Sequence, residues 1–539
     1  MRPICIFLIL FTTIILETSG QNLVWAHSFG DEDNDLSSFV TTDKLGNVYI
    51  TGRFKGTVDF DPGPDTHMVS ADPTIGSAFV QKLDAEGNLC WVRILYSTLY
   101  RYPTYRVFVD DSLNVFTCGS RWILSTTLQK LNPEGEIVWT KILPATYSIF
   151  GDMDMDKEGN IYLSGSYSDC IILDTQNWIE NPCSNGRMDN FIWKLDKSGD
   201  HLWIRSFGGY EDDNSYAMTV DPFGNVYSSG YIQGRVDMDP GSGSYFLGNG
   251  NSGNAYIQKL NKHGQFLWAK AIKYLPLSLE SDLRGNLFVG GFFSGKTDFH
   301  PGPDTTFLSA VGYEDMFLQK LSPKGDLIWA ERMGGGLDDR VYGLSVDALG
   351  NSYISGNFYK ISPDSTYPFI YHQDILVQKR NPNGNLLWEF ELSGKTNNNG
   401  YGINADQNGY VYITGEITDT VDFDPSPGSV NLSASNHSNI FIAKYSDRQI
   451  VGVEELVASP LEVYPNPANG LLTVSHKENR PLEAFRFYQI DGKILLEEKI
   501  TSPIFQLNVS AFIPGVYVLQ IEDDIGNLIN EKIQIQKRF

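Results

Sequence analysis

The stretch Trp203–Trp268 is one complete unit of an internal repeat, and that repeat constrains the fold more than any other feature of the chain. Strand-ending tryptophans stand at Trp25, Trp91, Trp139, Trp203, Trp268, Trp329 and Trp388, about sixty residues apart except for one short unit. A turn-and-strand element keeps step with them at Gly46-Asn47, Leu113-Asn114, Gly159-Asn160, Gly224-Asn225, Gly285-Asn286, Gly350-Asn351 and Gly409-Tyr410. A third marker, Gln-Lys-Leu, recurs at Lys82, Lys130, Lys259 and Lys320, with looser versions at Lys194, Lys379 and Lys444.

Each unit divides at its turn residues into four segments of ordinary strand length. In the fourth unit they are residues 216–220, 226–231, 256–260 and 266–271. Four strands repeated radially form the blade of a β-propeller, and seven units predict seven blades. The last unit stops at Phe441-Ile442-Ala443-Lys444-Tyr445 without a Trp strand, while the chain begins with a spare one, Leu23-Val24-Trp25-Ala26-His27. The first strand is therefore expected to complete the last blade and leave no open sheet edge. Abundant Tyr, Phe, Gly, Asn and Asp favour strands and tight turns, so the fold class is all-β throughout.

The repeated residues have local explanations. In Asp-x-x-Gly-Asn the Asp carboxylate accepts backbone N–H bonds and Gly takes the positive-φ position, so Asp43, Asp156, Asp221, Asp282, Asp347 and Asp406 read as turn-formers and not as catalytic acids. A Trp at one fixed position in every unit suits the space between neighbouring sheets. The repeated Lys reads as a snorkelling or turn-pairing residue.

The string Asp-x-x-Gly-Asn-Val-Tyr-(Ile/Ser)-(Thr/Ser)-Gly, followed by Gln-Lys-Leu and Gly-x-x-x-Trp, resembles the bacterial β-propeller repeat family known as SBBP, over about residues 22–446. That resemblance implies a propeller and brings no catalytic residues with it. The second unit departs from the pattern, with Leu113 in place of Gly and almost no middle loop.

Beyond a linker over residues 449–460 the sequence changes character. Short alternating segments around Gly and Pro turns predict a small β-sandwich over residues 461–539. It opens with Tyr464-Pro465-Asn466-Pro467, has Asp491-Gly492-Lys493 at its middle and carries Gly515-Val516-Tyr517 near its end. This module resembles the C-terminal sorting domain of the type IX (Por) secretion system of the Bacteroidota, which implies the type IX machinery as a partner. Residues 1–20, with Arg2, an apolar run from Ile4 to Leu16 and small residues Thr18 and Gly20, have the layout of a cleavable secretory signal, too short in its apolar part for a span. The expected destination is the medium or the outer-membrane cell surface, with residues 21–448 as the propeller and no membrane span in the mature chain.

A formal charge of −24 argues against nucleic acid as a partner, because that needs a basic surface to displace counterions. After cleavage four cysteines remain, Cys90, Cys118, Cys170 and Cys183, without metal-ligand spacing; Cys170 and Cys183 flank one loop and could pair.

In a four-stranded blade the tight Asp turns fall on one face of the disc, and the long second-to-third-strand loops and blade-to-blade connections on the other. The second face collects the acids: Asp31, Asp33, Asp35, Asp212, Asp213, Asp338 and Asp339 in the connections, and Asp59, Asp61, Asp237, Asp239, Asp298, Asp422 and Asp424 in the loops. Clustered carboxylates of this kind are candidate ligands for Ca²⁺, and Asp-x-Asp-Pro-Gly is equally an ordinary turn with solvated carboxylates; none of these loops is an EF-hand. No other cofactor is indicated. The chain has no HExxH, no Gly-x-Ser-x-Gly and no phosphate loop, its histidines fall singly, and no catalytic residue is assigned. The reading that follows is a secreted or surface-displayed binding or scaffold module for an extracellular ligand, a glycan or a protein. The alternatives are a polysaccharide hydrolase or lyase with carboxylates in the central funnel, and a rigid spacer.

Overall fold

A computed structural model describes residues 21–31, 33–97, 105–121, 125–173, 181–248, 253–361, 371–434, 437–447, 461–477, 480–489, 494–523 and 528–536. The expected signal segment and linker lie outside these residues. Every regular element among them is a β-strand.

Seven four-stranded antiparallel sheets follow one another along the first part of the chain. In the fourth, Asn214–Val220, Val226–Gln233, Gly253–Leu260 and Phe266–Ile272 pair in sequence order. In the seventh, Asn399–Ala405, Tyr410–Ile417 and Asn439–Ser446 are joined by the N-terminal strand Asn22–Phe29, with Trp25 opposite Lys444 and Phe29 opposite Ile440. The first strand of each sheet lies against the first strand of the next, and Leu36–Thr42 of the first sheet lies against Asn399–Ala405 of the seventh. Ser37 Oγ donates to the Gly415 carbonyl at 2.9 Å across that last junction. Four of the long loops, read from sequence as loops, carry short two-stranded ribbons, such as Thr57–Asp59 with Met68–Ser70. The succession of four-stranded antiparallel sheets is that of a β-propeller.

The turns form as the residue chemistry dictates. Asp221 Oδ1 accepts the N–H groups of Phe223 and Asn225 at 3.0 and 2.9 Å, and Oδ2 accepts Asn225 Nδ2 at 2.8 Å. In the second unit Leu113 adopts φ 64°, the left-handed conformation that Gly takes elsewhere.

Between sheets a latch repeats. Trp268 Nε1 and Lys259 Nζ, both from the fourth sheet, donate to the Pro323 carbonyl of the fifth at 3.1 and 3.2 Å. Trp203 and Lys194 do the same to Lys262, Trp329 and Lys320 to Pro382, and Trp25 and Lys444 to Ala85, the last joining the seventh sheet to the first. The lysines are buried, over an aromatic ring, and three of them also pair with their turn aspartates: Lys194 with Asp156, Lys259 with Asp221 and Lys320 with Asp282. They are turn-pairing residues, and their ammonium groups do not snorkel to solvent. The receiving turn needs glycine for two reasons: Gly135 has φ 78°, and a Cβ there would sit 2.7 Å from the Trp91 ring.

Cys170 and Cys183 are disulfide-bonded, Cys90 is exposed and Cys118 buried. The C-terminal module pairs a three-stranded sheet (Leu461–Tyr464, Leu471–His476, Ile504–Asn508) with a four-stranded one (Leu482–Gln489, Ile494–Ser502, Gly515–Asp523, Leu528–Ile535). Leu472, Val474, Phe487, Leu519 and Ile533 lie in the apolar core between them.

Candidate functional site

The acidic residues of the loop face divide into two groups. Those of the long loops each close their own turn. Asp59 Oδ1 accepts the N–H groups of Asp61 and His67 at 3.1 and 2.8 Å, Asp237 those of Asp239 and Tyr245, Asp298 those of His300 and Thr306, and Asp422 those of Asp424 and Val430. Asp61, Asp239 and Asp424 each accept the N–H two residues on. Slight burial alone would raise Asp298 and Asp422, yet the backbone N–H bonds outweigh it and hold both below the ordinary carboxylate value.

The acids of the connections tie sheets together. Asp35, Asp213 and Asp339 are fully buried at the entrance to their sheets. Each donates its N–H to a carbonyl just before the third strand of the preceding sheet: Ser438, Met188 and Glu314. Each accepts with Oδ1 the N–H of a residue in its own sheet, Lys55, Gln233 and Tyr359, at 2.8 to 3.0 Å. The other oxygen accepts from the connection itself, at Asp31, Gly209 and Gly335. Burial pushes their carboxyls up to about 8, 7 and 6 against these backbone bonds. Asp31 accepts from Asp33 and Thr57, Asp212 pairs with Arg187 at 3.3 Å, and Asp338 bridges the backbone of Glu314 with one carboxyl oxygen buried and unbonded. Among the described residues no three His, Cys, Asp or Glu side chains gather in a geometry that could hold a metal ion.

The side chains that do converge lie on the axis, where the first strands of all seven sheets line one cavity of about 20 Å³. That is room for one or two ordered waters. Arg106 forms an ion pair with Asp152 and lies over the Phe39 ring, 4.4 Å from its centroid; Phe39 packs on Phe108 at 5.8 Å. Burial alone would lower the Arg106 pKa, but Asp152 raises it beyond the ordinary value. Asp152 Oδ2 also accepts the Met218 N–H at 3.0 Å, and Asp154 Oδ2 accepts the Val220 N–H and the Thr219 hydroxyl at 2.6 and 3.1 Å. Burial, opposed by these bonds, pushes Asp154 up to about 7. Glu280, facing the same cavity, is raised well above the carboxylate range by burial and then by the charges of Asp154 and Asp152. None of these four was singled out from sequence. The available signal was charge on an innermost strand, as in the alternation Asp152-Met153-Asp154-Met155.

At the loop-face end of this axis Tyr342 and Tyr401 line the cavity with ring centroids 5.5 Å apart, edge to face. Glu416 Oε1 accepts the Tyr401 hydroxyl at 3.0 Å and Asn399 Nδ2 at 2.8 Å. Arg340 stacks over Phe292 at 4.5 Å and donates Nε to Glu314 at 2.9 Å.

Residues 462–536 match the secretion system C-terminal sorting domain, and residues 202–235 match a beta-propeller repeat. An uncharacterized WD repeat-containing protein, L264, of Acanthamoeba polyphaga mimivirus is 22% identical over 504 residues, covering 78% of this chain and 33% of its own length. The chain thus spans about a third of that relative. Among solved structures, a PL25 ulvan lyase bound to -[GlcA(1-4)Rha3S]- is 10% identical with TM-score 0.43, covering 76% of this chain and 98% of that one. A protein of unknown function from Bacteroides caccae is 12% identical with TM-score 0.31, covering 73% and 98% respectively.

Proposed function

As a β-propeller protein carrying the type IX sorting domain, this chain is exported to the secreted or cell-surface compartment, and we propose that its propeller works there as a binding or scaffold module. In this reading residues 1–20 are the signal, residues 21–448 one closed seven-bladed ring, residues 449–460 a linker and residues 461–539 the module that engages the secretion machinery. The repeated latch from Trp25 and Lys444 to Ala85 supports closure, because it joins the last sheet to the first as the others are joined in sequence order.

One observation carries binding over turnover. Two of the three axial carboxylates are engaged: Asp152 holds Arg106 and the Met218 N–H, and Asp154 holds the Val220 N–H. They join neighbouring sheets around a space the size of a water, whereas a glycosidase needs two carboxyl groups standing free on either side of a sugar ring, about 5 to 9 Å apart. The test incubates the full chain with soluble extracellular polysaccharides and follows both retention and chain length. Retention without depolymerisation is the expected result. Depolymerisation that Asp154→Asn or Glu280→Gln abolishes, with the thermal midpoint intact, would make the axis a catalytic site and end the binding reading.

A further inference from the structure

In the first strand of six sheets the pairing register slips by one residue at a single place, a β-bulge between Ser37 and Phe39, Phe150 and Asp152, Ser215 and Ala217, Pro276 and Ser278, Val341 and Gly343, and Gly400 and Gly402. A bulge re-aims the extra side chain, and in two of these sheets that side chain lines the axial cavity. The bulged residues are Ser38, Gly151, Tyr216, Leu277, Tyr342 and Tyr401. The backbone device is constant and the residue it presents varies, which is how a scaffold sets specificity without altering its frame.

In the sixth and seventh sheets the device presents tyrosines, and their surroundings are planar and polar. Tyr342 and Tyr401 are half-buried, as are Phe292, Arg340 and Glu416. Asn399 donates to Glu416, accepts from Asn357 Nδ2, and Asn357 Oδ1 accepts the Gly400 N–H at 2.9 Å. Of the charges at the rim, Arg340 pairs with Glu314, and Glu416 is held by two neutral donors. The floor is closed by Phe39, Phe108 and Arg106.

We propose that this mouth is a saccharide-binding site for a neutral polysaccharide, with a sugar ring laid on Tyr342 or Tyr401 and its hydroxyls held by Arg340 and Glu416. The inference deepens the binding-module reading and rests on it. A pyranose offers an apolar C–H face, which suits an aromatic ring with one wet edge, and a rim of hydroxyls that both donate and accept, which suits guanidinium and carboxylate groups. A polyanion would meet a chain of charge −24, and a strongly basic polypeptide would need free carboxylates that this mouth lacks.

Affinity electrophoresis of the full chain tests this, in gels containing galactomannan, xylan or hydroxyethyl cellulose, with polygalacturonate and chitosan as charged comparisons and polylysine as a basic polypeptide. At least one neutral polysaccharide is expected to retard the chain, with about tenfold weaker affinity in Tyr342→Ala or Tyr401→Ala, the scale of one lost ring contact. Tyr342→Phe keeps the ring and is expected to keep the affinity, which leaves the test standing if an alanine variant loses its thermal midpoint. Retardation by the charged polymers alone, by polylysine alone, or equal retardation of wild type and both alanine variants overturns the mouth assignment while the binding-module reading survives. Retardation by none of these probes also overturns it. Shortening of the polysaccharide chains is the separate result that removes the binding-module reading.

Discussion

Asp35, Asp213 and Asp339 hold two backbone N–H groups each at the junction of two sheets, and in the seventh sheet Asn398 fills the same place, its Oδ1 accepting the Thr418 N–H at 3.0 Å and its Nδ2 donating to Thr396. The position therefore needs an acceptor aimed at its own sheet more than it needs charge. Asp213→Ala would leave the Gln233 and Gly209 N–H groups without that acceptor and is expected to cost about 1–3 kcal/mol in denaturant unfolding. Asp213→Asn keeps the bond to Gln233, so its loss should be the smaller of the two, and smaller at pH 8 than at pH 5 because the amide carries no charge to bury. A larger loss for Asn than for Ala would contradict this account. The loop acids act differently: with Asp59, Asp237, Asp298 and Asp422 each closing a turn on backbone N–H groups, added Ca²⁺ is expected to leave the thermal midpoint of the full chain where a chelator leaves it. A calcium-dependent rise that Asp59→Asn removes would instead make the loops ligands.

At the scale of elements, the latch from Trp and Lys to the next sheet's turn ties four of the junctions between sheets. Trp203 is buried, meets the Tyr162 ring edge-on at 6.0 Å and donates to Lys262 at 3.2 Å. Trp203→Ala is expected to cost about 3–5 kcal/mol, while Trp203→Phe, which keeps most of the packing and loses the N–H, should cost nearer 1 kcal/mol more than packing alone explains. Urea titration of both variants separates the two contributions. These elements were legible because a local rule repeats: Asp221 and its counterparts close turns through neighbours two and four residues away, and the Trp and Lys markers recur at fixed offsets from them. The axis was not legible, because Arg106, Asp152, Asp154 and Glu280 come from three different units and meet only through the radial arrangement of sheets. Asp35, Asp213 and Asp339 were grouped with the exposed loop acids for a related reason: burial at a junction is a property of the neighbouring sheet and leaves no mark in the residues on either side. The two tyrosines of the mouth carried a faint signal, each lying five residues before its turn aspartate, at Asp347 and Asp406.

For the whole molecule these buried acids set the pH dependence of stability. Burial raises Asp35 to about 8, Asp154 and Asp213 to about 7, and Asp339 and Asp189, the latter buried at the start of the strand Asp189–Leu195, to about 6, all above the ordinary aspartate value of 3.8 that they regain on unfolding. The folded chain thus binds more protons than the unfolded chain between these limits, and stability from these groups is full below about pH 4 and lost as pH rises through 6 to 8. Asp84, Asp298 and Asp422 act in the opposite sense, since hydrogen bonds outweigh burial and lower them, from the Asn88 amide and then the backbone at Asp84 and from the backbone at Asp298 and Asp422; their contribution is lost as pH falls below about 4. The thermal midpoint of the full chain is therefore expected to peak near pH 4 and to fall steadily toward pH 8. A net charge of −24 pushes the same way through self-repulsion, and ionic strength distinguishes the two causes. At about 0.5 M salt the exposed charges are screened while the buried carboxylates are not, so most of the fall between pH 5 and pH 8 should persist. A fall that salt abolishes would assign the effect to the surface, and a midpoint that rises from pH 5 to pH 8 would mean that the junction and axial carboxylates are ionised in the folded protein.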